Sequence, residues 1–152
     1  MSDLLKVGSK APAFTAAASD GKTYRLSDLL KHGPVALIMY PANNTPGCNR
    51  QLSAVRDELD EFVERGIQPF GVNPAGVEGH VRFVEQMKFN FPLLSDPDRT
   101  IARAYHALKE DDRGIQRSVY VIARDGTIAF AQRGAPPVSE IVAAVHADGR
   151  AP

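Results

Sequence analysis

The chemistry open to this chain centres on a single sulfur. Cys48 is the only cysteine in 152 residues. An internal disulfide is therefore excluded, and a single cysteine argues against a cysteine-based metal site, which would need several ligands at short spacing. The approach to Cys48 reads Pro41-Ala42-Asn43-Asn44-Thr45-Pro46-Gly47. Thr45 suits the N-cap of a helix, and Pro46 suits its first position, where a missing N–H costs nothing. Cys48 then falls at the third helical residue, where its backbone N–H is one of the donors without an intrahelical acceptor. Those donors and the positive end of the helix dipole favour a thiolate, the nucleophilic form of sulfur. A free cysteine is also among the most buried residue types and often serves as a small hydrophobe. Position alone leaves a reactive and an inert Cys48 both open. The structural duties of an N-cap threonine and of a proline ending a strand leave Thr45 and Pro41 equally undecided.

The elements that must hold this loop can be read from periodicity. Residues 35–40, VALIMY, form an unbroken apolar run ended by Pro41, the pattern of a strand covered on both faces. After the loop, Cys48, Leu52, Val55, Leu59, Phe62 and Val63 recur at steps of three and four, a helical stripe that Gly66 closes. Residues 67–72 read as a strand. Residues 77–89 read as a helix with Val77, Val81, Val84 and Met87 or Lys88 on one face, followed by a short extended piece at 92–94 and a helix at 99–105. Two strand-like runs, SVYVIA and TIAFAQ, flank Arg124-Asp125-Gly126 and predict a hairpin, and a last amphipathic helix covers 138–146. Upstream, residues 14–26 form a second hairpin around Ser19-Asp20-Gly21-Lys22, and Ser27 caps a short helix. This order implies an α/β fold of the thioredoxin type: a mixed central sheet with helices on both faces and an N-terminal β-hairpin extension.

Bulk properties narrow the partners. Eighteen basic residues balance eighteen acidic ones without a long run of either sign, so nucleic acid and anionic membranes are not expected. The first residues lack a secretory pattern and no apolar run approaches membrane-spanning length, which makes the expected compartment cytoplasmic. Without repeats or linkers, residues 1–152 are expected to form a single domain. His32, His80, His106 and His146 show no metal-site spacing and are expected at the surface or in loops. Asp96-Pro97-Asp98 reads as a turn and helix cap, and no phosphate or dinucleotide loop is present, so no metal and no organic cofactor is expected.

Taken together, YPANNTPGC resembles the peroxidatic-cysteine loop of the peroxiredoxins, specifically the bacterioferritin-comigratory or Q-type subgroup with its Pro-x-x-x-Thr-Pro-Gly-Cys pattern. The resemblance runs nearly end to end, through VGSKAPAFTAAASDGKTYRLSDL, GVNPAGVEGHVRFVEQMKFNFPLLSDPDRTIARAY and RSVYVIARDGTI. It implies a thiol-dependent peroxidase acting on hydrogen peroxide and alkyl hydroperoxides. Cys48 would be the nucleophile, Thr45 a hydrogen-bonding partner of sulfur and peroxide, Pro41 a shield over the pocket and Arg117 the cation, with the N–H groups of Gly47 and Cys48 as further donors. The family match selects Arg117, since Arg50, Arg56, Arg113 and Arg133 are equally available from sequence. Many members of the subgroup carry a resolving cysteine five residues after the first, where this chain has Ser53. An external thiol, thioredoxin-like, glutaredoxin-like or of low molecular weight, would then recycle a monomer or homodimer. A redox-sensing thioredoxin-fold module without rapid turnover is the alternative, and a non-catalytic interaction domain with an inert Cys48 is a further one.

Overall fold

The computed structural model describes residues 3–146. Its elements run β1 (Thr15–Ala17), β2 (Thr23–Arg25), α1 (Leu26–Leu29), β3 (Val35–Met39), α2 (Pro46–Asp57), α3 (Leu59–Glu64), β4 (Gln68–Asn73), α4 (Val77–Met87), β5 (Leu93–Ser95), α5 (Thr100–Ala104), β6 (Ser118–Ile122), β7 (Ile128–Arg133) and α6 (Val138–Val142). Five strands form the main sheet in the order β5-β4-β3-β6-β7, and β1 and β2 form a separate antiparallel hairpin. The crossovers through α2, α3 and α4 make β3, β4 and β5 parallel, whereas β6 returns antiparallel to β3 with Met39 opposite Ser118. The apolar run 35–40 thus becomes the central strand, and every residue of β3 is buried.

Alternation along β3 divides the core into two layers. Val35, Leu37 and Met39 pack with the hairpin, α1 and α5 through Ala16, Leu26, Leu29, Ile101 and Ala102. Ala36, Ile38 and Tyr40 pack on the other face with Cys48, Leu52, Val55, Phe62, Phe83 and Ile141, side chains of α2, α3, α4 and α6. Helices on both faces are therefore observed. Gly71 lets Tyr40 lie across β4, since a Cβ there would come within 2.6 Å of Leu93 and 3.1 Å of Tyr40. Gly66 ends α3 with φ of +68°, the left-handed turn that a helix end asks of glycine.

Local expectations fail in four places. The helical stripe after Cys48 is not one helix: Glu58, with φ −113° and ψ 26°, separates α2 from α3 and leaves Val63 exposed. Ser27 lies inside α1 rather than capping it, because the Leu26 N–H bonds the Phe14 carbonyl and the N-cap is Arg25, two residues earlier. On α4 the buried residues are His80 and Phe83, while the valines are half-buried. His80, expected at the surface, is 0% exposed. The last helix stops at Val142, short of the predicted span. Among the described residues, no helix is long and apolar enough to cross a membrane.

Candidate active site

The N-terminus of α2 forms as its composition requires. Thr45 is the N-cap in extended conformation, Pro46 occupies the first turn, and the first intrahelical bond runs from the Asn49 N–H to the Thr45 carbonyl at 2.8 Å. The N–H groups of Gly47 and Cys48 have no acceptor among the described residues. The Thr45 side chain makes no capping bond, so its hydroxyl stays available beside the first turn. Cys48 itself is 0% exposed, within the core cluster that holds Ile38, Tyr40 and Leu52 and in contact with Arg117.

Arg117 enters from the residue preceding β6, and its Nη2 donates to Cys48 Sγ at 3.3 Å. The guanidinium is fixed by a second bond, from Nη1 to Gln51 Oε1. Gln51 sits three residues beyond Cys48 on α2, on the same side of the helix, and is itself buried. Sequence reasoning missed this residue; its signal was the polar residue one turn beyond Cys48, on the face of the helix that the stripe marks as buried. Gly47 completes the contact, because a Cβ there would stand 3.4 Å from Arg117 Nη2. The other candidate cations are elsewhere. Arg56 bonds Asp57 and the Met87 carbonyl, Arg133 bonds the His106 carbonyl and Ser118 Oγ, and Arg113 lies on a different hollow. Arg50 is exposed on the rim of a cavity of about 590 Å³ lined by Gly47, Gln51, Arg117, Glu58 and Pro136 among others.

Residues 41–45 do not line that cavity. Pro41 is exposed and lines a separate hollow of about 360 Å³ with Asn43, Asn73 and Arg113. Behind it, Asn43 Oδ1 accepts from the Tyr40 hydroxyl at 2.6 Å and from Asn73 Nδ2 at 3.0 Å, and Asn43 Nδ2 meets His80 Nδ1 at 3.1 Å. Asn44 Oδ1 accepts from Gln86 Nε2 at 3.3 Å and Asn49 Nδ2 at 3.2 Å. Burial pushes the Tyr40 phenol far above its usual range, and the neighbouring Cys48 charge adds to the effect. Burial likewise holds His80 below its usual 6.5, with backbone bonds to Leu94 and Asn73 partly offsetting it. Asp96 has the capping role read from sequence: its carboxylate accepts from the N–H groups of Ile101 and Ala102. Ser53 lies half-buried within α2. Among the described residues no group of three or more His, Cys, Asp or Glu is placed to hold a metal.

A cysteine at a helix N-terminus under a fixed arginine is a reactive arrangement, and comparison with known proteins gives it a family. The AhpC/TSA family profile matches residues 7–131. The chain belongs to the AhpC/TSA family. This family member is 38% identical over 134 residues to a candidate peroxiredoxin of Mycobacterium tuberculosis, with 84% of this chain and 85% of the relative covered. Its structure matches that of peroxidoxin BcpB from the same organism with a TM-score of 0.84 at 28% identity, covering 92% of this chain and 96% of the other. It also matches the bacterioferritin comigratory protein of Xanthomonas campestris, studied for alkyl peroxide reduction, with a TM-score of 0.78 at 26% identity over 86% and 88% of the two chains. The thioredoxin fold expected from the element order is that of these peroxiredoxins.

Proposed function

We propose that Cys48 is the peroxidatic nucleophile of a thiol-dependent peroxidase, with Arg117, Thr45 and the N–H groups of Gly47 and Cys48 around the sulfur and Pro41 on the neighbouring hollow, outside that pocket. The observation that carries this reading is the 3.3 Å contact between Arg117 Nη2 and Cys48 Sγ at a helix start with unspent donors. The Cys48 thiolate attacks one peroxide oxygen, an S–O bond forms and the O–O bond breaks. The electron pair leaves on the second oxygen, which takes a proton and departs as water or an alcohol, and the sulfur becomes a sulfenic acid. Negative charge grows on the departing oxygen, so fixed donors around the O–O bond stabilise the transition state more than the ground state. Arg117 serves both ends of the reaction, as counter-charge to the thiolate and as donor to the peroxide. The free Thr45 hydroxyl is a second donor.

With one cysteine in 152 residues, the sulfenic acid is closed by an external thiol. That thiol forms a mixed disulfide with Cys48 and releases water, and a second thiol then regenerates the enzyme. A reducing compartment supplies such thiols, which fits a cytoplasmic protein working as one domain, as monomer or homodimer. Quenched-flow mass spectrometry tests the reading. One equivalent of hydrogen peroxide should add one oxygen at Cys48 within seconds, and thiol should remove it. A sulfur that stays reduced under peroxide would leave the redox-inert reading.

A further inference from the structure

His80 is buried, titratable and unused by the chemistry above, yet it is bonded to the loop that carries the nucleophile. The network around it has two obligatory ends. The Ala75 N–H can only donate, and it bonds Asn73 Oδ1 at 2.9 Å. Asn73 therefore presents its Nδ2 to Asn43, whose facing atom must be Oδ1. Asn43 then presents Nδ2 to His80 Nδ1, which accepts it in the tautomer that carries the ring proton on Nε2. The proton on His80 sits on Nε2 and is donated to the Leu94 carbonyl at 3.0 Å, a group that can only accept. Every proton in the chain is set by the next, from β4 through the loop and α4 to β5. The Tyr40 hydroxyl joins at Asn43 Oδ1, so its single proton is committed to the loop and not to Cys48.

We infer that Asn43 and His80 are positioning residues for peroxide attack: through the Asn43 carboxamide, the neutral imidazole holds the 41–45 loop against α4 and β5 and keeps the first turn of α2 wound around Cys48. The inference rests on the peroxidase reading. Holding the loop favours the first half-reaction, which needs Thr45 and the free N–H groups in place. It opposes the second, because a thiol with its substituent needs more room in line with a sulfur that is 0% exposed than the two oxygens of a peroxide do. Loosening the pair must therefore move the two half-reactions in opposite directions. A residue that merely stabilised the fold would slow both or neither.

The experiment follows each half-reaction by quenched-flow intact mass, using hydrogen peroxide on the reduced chain and dithiothreitol on the chain pre-oxidised with one equivalent of peroxide. Asn43→Ala, which removes only a half-buried carboxamide, should slow oxidation about tenfold, the factor that losing a hydrogen bond of ordinary worth can produce, and should speed reduction. His80→Phe should behave in the same way. His80→Gln, whose carboxamide offers one acceptor and one donor, should return both rates toward those of the parent. Should His80→Phe fail to fold, Asn43→Ala and His80→Gln still decide the matter. Unchanged rates in Asn43→Ala, or rates that move in the same direction, overturn the inference. A parent chain that is not oxidised at Cys48 overturns the peroxidase reading instead, and the two failures are distinct.

Discussion

The two flanks of the loop at 41–45 are built on opposite rules. On the Arg117 flank, polar capacity is left over: the Gly47 and Cys48 N–H groups and the Thr45 hydroxyl have no partners among the described residues, and the guanidinium that touches the sulfur also borders an open cavity. On the His80 flank, Tyr40, Asn43, Asn73 and His80 are each bonded to a neighbour in the same network. Unspent donors are costly to a fold and useful to a reaction, while paired ones hold a shape. A reactive sulfur needs both, one flank to meet substrate and the other to keep the first in register.

The sharpest way to break the comparison is Cys48→Ser. It should abolish thiol-dependent peroxide consumption and leave the melting temperature close to that of the parent, since volume changes little and the neutral flank is intact; turnover in that variant would sink the assignment. Next in size, Arg117→Ala should slow sulfur oxidation by about 10²- to 10³-fold, the usual consequence of removing a preorganised transition-state donor. Arg133→Ala, away from the sulfur, should not slow it comparably. A single-turnover comparison of the two variants decides whether the cation is correctly assigned.

Thr45 tests the unspent side more finely. Because its hydroxyl caps nothing, Thr45→Val should cost well under the ~1 kcal/mol typical of a lost cap while slowing peroxide attack about tenfold. A fall in stability without a change in rate would return Thr45 to a purely structural role. The smallest effect belongs to the neutral side and to pH. His80 titrates near 6.5 when unfolded and lower when folded, so in that interval the unfolded chain binds the extra proton. Stability is then full above about 6.5 and lost as pH falls through the folded value. Melting curves between pH 7 and pH 5 should show this decline, and His80→Gln should flatten it.

Much of this arrangement was legible in the sequence for plain reasons. An apolar run ended by Pro41 has the pattern of a covered strand, and Thr45-Pro46 marks where α2 begins, so the location of Cys48 followed from local rules. Arg117 did not follow in this way. Nothing in its own neighbourhood distinguishes it from Arg113 or Arg133, because its partner lies 69 residues away and only the register of β3 with β6 brings them together. His80 was hidden by the valines of α4, which set the apparent apolar face. The helix turns instead so that His80 and Phe83 point inward, since the loop it covers carries amide groups that need a polar partner. Glu58 gave no warning of the break between α2 and α3, as it is neither glycine nor proline.

That long separation also orders events during synthesis. Ribosomes add about 5–20 residues per second, so the nucleophile is made some 3 to 14 s before the cation that completes its site. Throughout that interval β3 lacks its β6 neighbour, and the nascent sulfur has a helix start but no guanidinium. On the proposed reading, then, the site is complete only after β6 has been made and the sheet can close.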